Sequence, residues 1–285
     1  MIQIDWEKVK FIVELCFSLL RSRIRLWSMV LCVFVIGPAG SGKSTFVKEF
    51  SEYLDDFEIS NVKVNMDPAV DKLPYDPDVD IRDYVTASEL EEKLGLGPNG
   101  AIIAATDLSV NYLRDVKNNI MSMNPGYVLV DTPGQMELFT FRSSGAEIIT
   151  QIAEERSCIL FLLDSALVAM ASTFTSSILL SISVYYRFNL PQIILLNKID
   201  LMNENEIERV IEWISYPDKL LTDLRSEGTS TIVQLNETIV QAIADFMTTF
   251  NTIPISAKYR RAFENVYAKL QQIYVGGEDY VTLPP

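Results

Sequence analysis

Histidine is absent from this sequence of 285 residues, and the absence limits the chemistry that the protein can perform. Without histidine there is no His general base, no Ser-His-Asp triad and no His-ligated zinc site. Any proton transfer must therefore involve carboxylates, water or the substrate itself.

Cysteine is scarce, and its three positions form no pattern. Cys16, Cys32 and Cys158 are odd in number, scattered and set in apolar surroundings. This arrangement is typical of buried free thiols in a reducing compartment, and not of a disulfide framework. We therefore predict a cytoplasmic protein.

Long apolar runs and an excess of basic residues are also lacking. The apolar run from Phe11 to Leu20 is interrupted by Glu14 and is too short to span a membrane. The arginines that follow it lie on the wrong side for a secretory signal. The formal net charge of -14 repels phosphate backbones. We therefore predict neither a membrane span nor a direct nucleic-acid partner.

Residues 1–28 precede the first clear strand pattern and are open to three interpretations. They could form an amphipathic helix on a membrane surface or on a partner, or an additional helix packed on the domain. They could also be an extension that does not belong to the native protein. We favour this last interpretation, because Met29 stands directly before the first strand and would make a natural start.

Short apolar runs alternate with helical patterns from residue 29 onward. The runs are Val30–Ile36, Val62–Asn65, Tyr127–Val130, Cys158–Leu163, Gln192–Leu196 and Thr252–Ile255. Several are apolar throughout, which is typical of strands covered on both faces. The alternation predicts an α/β fold with a doubly wound, mostly parallel sheet and helices on both faces. Ligands of such sheets bind at the carboxyl ends of the strands.

The segment from Met202 to Phe250 is long, acidic and mostly helical in pattern, with a Ser/Thr-rich break near Gly228–Thr231. A chain of this length suits one α/β domain with insertions. We therefore predict a single domain over residues 29–285 with a helical insertion at about 202–250.

A glycine-rich segment joins the strand pattern Val30–Ile36 to the helix pattern Ser44–Leu54 and matches GxxxxGK[ST]. Its residues are Gly37, Pro38, Ala39, Gly40, Ser41, Gly42, Lys43 and Ser44. Glycines let backbone N–H groups point at phosphate oxygens, and the following helix adds its positive end. The segment predicts a P-loop NTPase in which Lys43 reaches the β- and γ-phosphates and the Ser44 hydroxyl binds Mg²⁺. A glycine-rich turn with a chance Lys-Ser is the alternative.

The strand Tyr127–Val130 is followed by Asp131-Thr132-Pro133-Gly134. An acidic residue at the end of a buried strand, across from a P-loop, can hold a magnesium-bound water. We predict this role for Asp131 and expect the Gly134 N–H to meet the γ-phosphate. An ordinary Asp-Pro-Gly turn is the alternative.

Two further segments predict guanine as the base. In Asn197-Lys198-Ile199-Asp200, the carboxylate of Asp200 can accept hydrogen bonds from guanine N1 and the 2-amino group. Asn197 can tie the loop and face N7, and the stem of Lys198 can lie flat on the base. In Ser256-Ala257-Lys258, the Ala257 N–H could meet guanine O6. The alternative for Asp200 is a helix cap.

Together these residues resemble the GPN-loop GTPases, in their archaeal-type homodimeric form. The segments that carry the resemblance are Gly37–Thr45, Asn65–Ala69, Asp80–Asp83, Gly97-Pro98-Asn99, Asp131–Glu137 and Asn197–Asp200. It covers the chain from about Met29 to the C-terminal region. The resemblance implies nucleotide binding by the whole first segment, including Thr45. It also implies a homodimer, or a heterodimer in some organisms.

The resemblance further implies that the Gly97-Pro98-Asn99 loop of one subunit reaches toward the phosphates bound by the other. Asn99 is therefore a catalytic candidate, since a fixed amide donor can stabilise charge that develops on the phosphates. Family members are linked to assembly and nuclear import of RNA polymerase in eukaryotes. RNA polymerase subunits are thus implied as candidate clients.

Four side chains are further catalytic candidates. Asp67 follows the second strand and could bind a magnesium water or orient the attacking water. Gln135 comes directly after the Asp131–Gly134 segment and could position that water, with Glu137 as a second candidate. Arg82 could act as an arginine finger, although an ion pair with a neighbouring aspartate is favoured.

The motifs predict a Mg²⁺-dependent GTP hydrolase that acts as a nucleotide-switched dimer with a role in complex assembly. A GTP-dependent binding switch with negligible hydrolysis would use the same motifs. An ATP-using kinase or maturation factor is disfavoured by Asn197–Asp200. An assembly chaperone whose client binds the acidic insertion is compatible with the GTPase interpretation.

Overall fold

The structure is a computed structural model that describes residues 30–154, 156–227, 233–249 and 251–275. The predicted extension at residues 1–28, with Met29, lies outside the described residues. The same is true of the predicted break near Gly228–Thr231.

Seven parallel strands form one sheet in the order β3-β2-β4-β1-β5-β6-β7. They are β1 (Leu31–Ile36), β2 (Asn61–Asn65), β3 (Val79–Asp80), β4 (Tyr127–Asp131), β5 (Arg156–Asp164), β6 (Gln192–Asn197) and β7 (Thr252–Pro254). The strand before the P-loop segment, β1, is central and lies between β4 and β5. The predicted doubly wound α/β fold is confirmed.

All six predicted strands are present, with ends that differ by one or two residues. The largest extension is in β5, which begins at Arg156 because its backbone pairs with Leu31 of β1 even where the side chains are polar. The edge strand β3 was not predicted. Its two residues are too few to show a periodic pattern.

Eleven α-helices lie within the described residues. They are α1 (Lys43–Asp56), α2 (Ala87–Leu94), α3 (Pro98–Ser109), α4 (Leu113–Ser122), α5 (Met136–Thr140), α6 (Ser143–Ile152), α7 (Ala171–Phe188), α8 (Glu204–Ser215), α9 (Pro217–Glu227), α10 (Val233–Thr249) and α11 (Phe263–Val275). Within these ranges, no helix has the length and apolar character that crossing a membrane requires.

The sheet is covered on both faces because successive side chains of a strand point to opposite sides. Cys32, Phe34 and Ile36 of β1 belong to the core that helices α3–α7 cover. Leu31, Val33 and Val35 belong to the core beneath α1 and α11. Aromatic rings pack between these two helices. The ring centroids of Phe46 of α1 and Phe263 of α11 are 5.5 Å apart.

Helices α8–α10 follow β6 and precede β7 in the chain, where the helical insertion was expected. Trp213 of α8 is buried and packs on Phe174 of α7 with ring centroids 5.4 Å apart. The Glu227 carboxylate of α9 accepts hydrogen bonds from the first N–H groups of α7, those of Ala171 (2.7 Å) and Ser172 (2.9 Å). These carboxylate contacts satisfy donors that a helix start leaves open. The insertion therefore packs directly on α7.

Candidate functional site

The P-loop segment leaves the carboxyl end of β1 and enters α1 at Lys43. Gly40 and Gly42 have φ angles of 77° and 97°, a left-handed conformation that favours glycine. The Lys43 ammonium is buried and donates hydrogen bonds to the carbonyl oxygens of Gly37 (2.9 Å) and Pro38 (3.2 Å). The loop therefore wraps around its own lysine.

The P-loop glycines also allow close packing beneath the loop. A Cβ atom on Gly37 would lie 2.4 Å from the carbonyl oxygen of Leu162, and one on Gly42 would lie 2.5 Å from Asn197 Nδ2. Ser41 is buried, whereas Ala39 and Gly40 are exposed. Ser44 and Thr45 are half-buried in the first turn of α1. The loop thus presents an accessible rim above a closely packed base.

Three acidic residues act on Lys43. Burial lowers the pKa of its ammonium, and the negative charges of Asp131, Asp67 and Glu137 oppose that shift. The carboxylates come from the ends of β4 and β2 and from α5. Four residues that are distant in sequence are therefore brought together, as parallel strand ends permit.

Asp131 is the most deeply buried carboxylate of this group, with 2% of its surface exposed. Burial raises its pKa to about 6, against the opposing effects of the Ser44 hydroxyl, Lys43 and Tyr75. Its Oδ2 accepts a hydrogen bond from the Tyr75 hydroxyl at 3.0 Å. Its Oδ1 is buried and has no hydrogen-bond partner among the described residues.

The unpartnered Asp131 Oδ1 fits a requirement for a cation or a cation-bound water, because a buried carboxylate oxygen is costly without a partner. In the described part of the chain, no group of three or more acidic or thiol side chains could hold a metal alone. Mg²⁺ bound with phosphates needs only one or two protein oxygens. Ser44 and Asp131 therefore fit magnesium, with Asp67 nearby.

The Gly134 N–H, which was predicted to meet the γ-phosphate, donates a hydrogen bond to the Asp67 carboxylate instead. Its Oδ2 accepts from the Gly134 N–H at 2.8 Å, and its Oδ1 accepts from the Ala69 N–H at 2.9 Å. An anion thus already lies beside the bare Gly134 amide. A γ-phosphate at this amide would have to displace the Asp67 carboxylate.

The other catalytic candidates differ in their surroundings. Gln135 is half-buried directly before α5, and Glu137 is exposed in the first turn of that helix. Arg82 forms an ion pair with Asp80, with Nη2 2.6 Å from Oδ2, and Nη1 donates to the Val70 carbonyl at 3.2 Å. The favoured ion-pair alternative for Arg82 is therefore the one that the structure contains.

The Gly97-Pro98-Asn99 segment begins a helix instead of forming a free loop. Gly97 is the N-cap of α3 and Pro98 occupies its first position, where the missing N–H of proline costs nothing. Asn99 is exposed on the surface of the chain. Its side chain is therefore available to a partner.

Asn197 ties the opposite side of the site together. Its Nδ2 donates to the Ser41 carbonyl at 2.8 Å, and its Oδ1 accepts from the Ala257 N–H at 2.9 Å. The loop-tying role predicted for Asn197 is thus visible in its contacts. The Ala257 amide, which sequence analysis assigned to guanine O6, has Asn197 as its partner in the structure.

Lys198 crosses from the NKxD segment to the P-loop. It has a left-handed backbone with φ of 66°, and its ammonium lies 2.7 Å from both the Gly40 carbonyl oxygen and Asp164 Oδ2. Asp200 is exposed and accepts a hydrogen bond from the Ser256 hydroxyl. The N-cap of the next helix, α8, is Asn203, so the alternative role of Asp200 as its cap is wrong.

Tyr75 and Asp164 belong to the site but were not predicted from the sequence, and Ser256 lies in a predicted segment although its contact with Asp200 was not foreseen. Tyr75 lies in the irregular segment between β2 and β3, and Asp164 ends β5 without a following motif. Asp164 had a usable signal, since it is the acidic residue at the carboxyl end of an apolar strand, whereas Tyr75 had none. We call Gly37–Ser44 with Asp67, Asp131 and Gly134 the phosphate end, and Asn197–Asp200 with Ser256 and Ala257 the base end.

Comparisons with known proteins find related sequences and a related fold. A family model described as a conserved hypothetical ATP binding protein matches residues 35–275. GPN-loop GTPase 1 of Dictyostelium discoideum is 32% identical over 87% of this chain, which spans 62% of that protein's length. GPN-loop GTPase 3 of Kluyveromyces lactis is 31% identical, with 85% of this chain and 90% of that protein covered.

A solved structure is similar to this chain in both sequence and fold. It is the apo form of a GTPase from Pyrococcus abyssi, with a TM-score of 0.77 and 29% identity. The match covers 86% of this chain and 97% of that one. The description of the family model names ATP, whereas these relatives are named GTPases. The Asn197–Asp200 segment favours the guanine nucleotide.

Proposed function

The chain belongs to the family of GPN-loop GTPases, and from this premise we propose that it is a Mg²⁺-dependent GTP hydrolase that works as a nucleotide-switched dimer. One observation carries the proposal. Asn197 binds the P-loop through Ser41 and the base-end turn through Ala257, so both parts of a guanine-nucleotide site are held by one side chain. The distance between phosphates and base is thereby set.

At the phosphate end, the residues Gly37–Thr45 surround the phosphates with backbone N–H groups. Lys43 exchanges its two carbonyl partners for β- and γ-phosphate oxygens, which are stronger acceptors because they are charged. Ser44 and Asp131, with Asp67, would hold the magnesium. When bound, Mg²⁺ neutralises charge on the phosphates.

Hydrolysis needs an oriented water molecule and groups that stabilise the negative charge developing on the phosphates. Gln135 is the first candidate to orient the water, with Glu137 and Asp67 as the others. The chain has no histidine, and the γ-phosphate itself can accept the proton of that water in a substrate-assisted step. Replacing Gln135 by Ala should lower kcat by about ten- to a thousandfold if Gln135 orients the water.

At the base end, Asp200 accepts the two guanine donors. The Ser256 hydroxyl donates to Asp200 and thereby orients its carboxylate toward the base. The stem of Lys198 is held over the P-loop by its bonds to Gly40 and Asp164, in a position to lie against the base. Adenine would place an acceptor against Asp200 and would be rejected.

The proposal of a homodimer rests on the family and on Asn99. This side chain is exposed at the start of α3, and in the proposed dimer it would reach toward the phosphates bound by the second copy. Coupling between nucleotide and dimer geometry would suit a protein that clamps a client during complex assembly, with RNA polymerase subunits as candidate clients. The buried free thiols of Cys32 and Cys158 fit a reducing compartment such as the cytoplasm.

The first test is Mg²⁺-dependent GTP hydrolysis by the wild type and by Asn99→Ala, with the dimer followed by light scattering. We expect the wild type to turn over GTP, and the variant to lose turnover while it still dimerises. Asn118→Ala, an exposed asparagine of α4, is the matched control and should keep full activity. An active Asn99→Ala dimer would remove the intersubunit role.

A GTP-dependent binding switch with negligible hydrolysis is the second candidate. It is favoured by one specific observation, the hydrogen bonds that Asp67 and Tyr75 make to Gly134 and Asp131. With these contacts, the phosphate end has an arrangement without ligand that differs from the one proposed for bound GTP and Mg²⁺. Ligand binding would replace the contacts and so switch the protein between the two arrangements. GTP binding that changes protease sensitivity, without release of phosphate, would support this candidate over the hydrolase.

A further inference from the structure

Residues 256–262 form a tight turn between β7 and α11. The Arg261 N–H donates to the Ser256 carbonyl at 3.0 Å, which closes an antiparallel bridge between these residues. Arg260 and Ala262 have φ angles of 52° and 63°, in the left-handed region. Non-glycine residues adopt this conformation at a cost, and it persists where surrounding contacts hold it. The turn therefore depends on contacts outside itself.

The Arg260 side chain supplies such contacts by binding one face of α1. Its Nε lies 2.8 Å from Glu49 Oε2, its Nη1 lies 3.1 Å from Asp56 Oδ2, and its Nη2 binds Glu52. Carboxylates at these spacings share one face of a helix and repel one another. Lys48 contacts Glu49 and Glu52 as well, at 2.7 and 3.6 Å. Without Arg260, one lysine would be left to balance three carboxylates.

Helix α1 begins at Lys43 of the P-loop, so Arg260 connects the phosphate end to the turn of the base end. That turn carries Ser256, which orients Asp200, and Ala257, which binds Asn197. The Arg260 backbone N–H donates to the Ala257 carbonyl at 3.4 Å, so Arg260 acts on these groups through the backbone of the turn. We infer that Arg260 is a positioning residue for guanine recognition, holding the Asp200–Ser256 edge at the correct distance from the P-loop.

This inference rests on the proposed guanine-nucleotide function and makes a distinct prediction within it. GDP and ADP share their phosphates and differ at the edge of the base. Loosening the turn should therefore weaken GDP binding and leave ADP binding nearly unchanged, because specificity is a difference between two affinities. A residue that only stabilised the fold would change both affinities alike.

The test measures dissociation constants of GDP and ADP for the wild type and Arg260→Gln. We expect GDP binding to weaken by about five- to thirtyfold, with ADP binding changed by less than about twofold. Arg260→Lys should recover part of the GDP affinity, since lysine keeps the charge but lacks the planar fork that binds several carboxylates. Hydrogen exchange in residues 256–262 should rise in Arg260→Gln and fall back in Arg260→Lys.

A second route leaves Arg260 intact and removes two of its three carboxylate partners, Glu49 and Glu52. The double variant Glu49→Gln, Glu52→Gln should reproduce the loss of GDP affinity. Adding Arg260→Gln should then cause little further loss, because the residues belong to one network. The control is Lys219→Ala, which breaks an exposed ion pair with Glu212 (3.4 Å) and should change neither constant.

The outcomes separate this inference from the proposed function. A wild type that binds ADP as tightly as GDP would overturn the guanine function and this inference with it. A selective wild type together with an equally selective Arg260→Gln would overturn the inference alone. Equal weakening of GDP and ADP in Arg260→Gln would also overturn it, since Arg260 would then only support the fold.

Discussion

At the phosphate end, the groups expected to meet GTP and Mg²⁺ already have protein partners that these ligands would displace. Lys43 binds P-loop carbonyls, the Gly134 amide binds Asp67, and Asp131 binds Tyr75. At the base end, the Asn197 contacts join separate segments, and Asp200 remains exposed. The phosphate end is therefore built to exchange contacts, whereas the base end is already organised.

This difference has an energetic consequence. Changes at the phosphate end should alter turnover, metal dependence and pH response, because its contacts compete with ligand. Changes at the base end should alter folding stability and base selectivity, because its contacts join separate segments of the chain without any ligand. Four variants test this division.

Lys43→Ala should have the largest effect. It removes the cation that three carboxylates surround and that phosphate oxygens would bind. We expect kcat/KM for GTP to fall by about a thousandfold or more, since a buried charged donor to the phosphates is lost. A phosphate-release assay measures this, with Lys93→Ala of the exposed Lys93–Glu89 pair as the control. Near-normal turnover in Lys43→Ala would show that the P-loop lysine is dispensable.

Asp131→Asn should change the pH dependence of stability in protein free of nucleotide and magnesium. The folded pKa of Asp131 is about 6, above its ordinary value of 3.8, so the folded state binds the proton more tightly. The contribution of Asp131 to stability is therefore greatest below about pH 4 and falls by up to about 3 kcal/mol as the pH rises through about 6. Asp131→Asn should lack this decrease in the free energy of unfolding between about pH 4 and pH 6.

Urea unfolding at pH 5 and pH 7 measures the effect. Asp115→Asn, an exposed aspartate of α4, is the control and should keep the wild-type slope. An unchanged slope in Asp131→Asn would mean that other groups cause the pH dependence.

Asn197→Ala tests the organised base end. It leaves the Ser41 carbonyl and the Ala257 N–H without their partner, and both residues are buried. We expect the free energy of unfolding to fall by about 2 kcal/mol even without nucleotide. Chemical denaturation measures this, with Asn118→Ala as the exposed control. A variant as stable as the wild type, but weak in GDP binding, would show that the base end is organised only by its ligand.

Tyr75→Phe should have the smallest effect. It removes the hydroxyl that competes for Asp131 and leaves the ring in place. We expect the Mg²⁺ concentration for half-maximal GTP binding to fall about two- to fivefold, as one displaced hydrogen bond of about 0.5–1 kcal/mol predicts. Titration with a fluorescent GTP analogue measures this, and the exposed Tyr216→Phe is the control. A higher Mg²⁺ requirement would instead make Tyr75 a supporting group for the metal.

Local features of the fold and the site were predictable from the sequence alone. The apolar strand β1, the left-handed glycines Gly40 and Gly42, and the start of α1 lie within one continuous segment, so their chemistry is visible in residue order. The NKxD segment is equally local. These features also carried the family resemblance, which the comparisons with known proteins confirm.

The contacts that join the segments were decided by the tertiary structure. Tyr75 meets Asp131 across 56 residues, Asp67 meets Gly134 across 67, and Arg260 meets Glu49 across 211. Tyr75 and Arg260 lie in irregular segments without a pattern, and Asp67 and Gly134 lie in recognised segments that do not indicate their contact with each other. The sequence thus determined which chemical groups the site contains. The packing of parallel strand ends decided which of those groups meet.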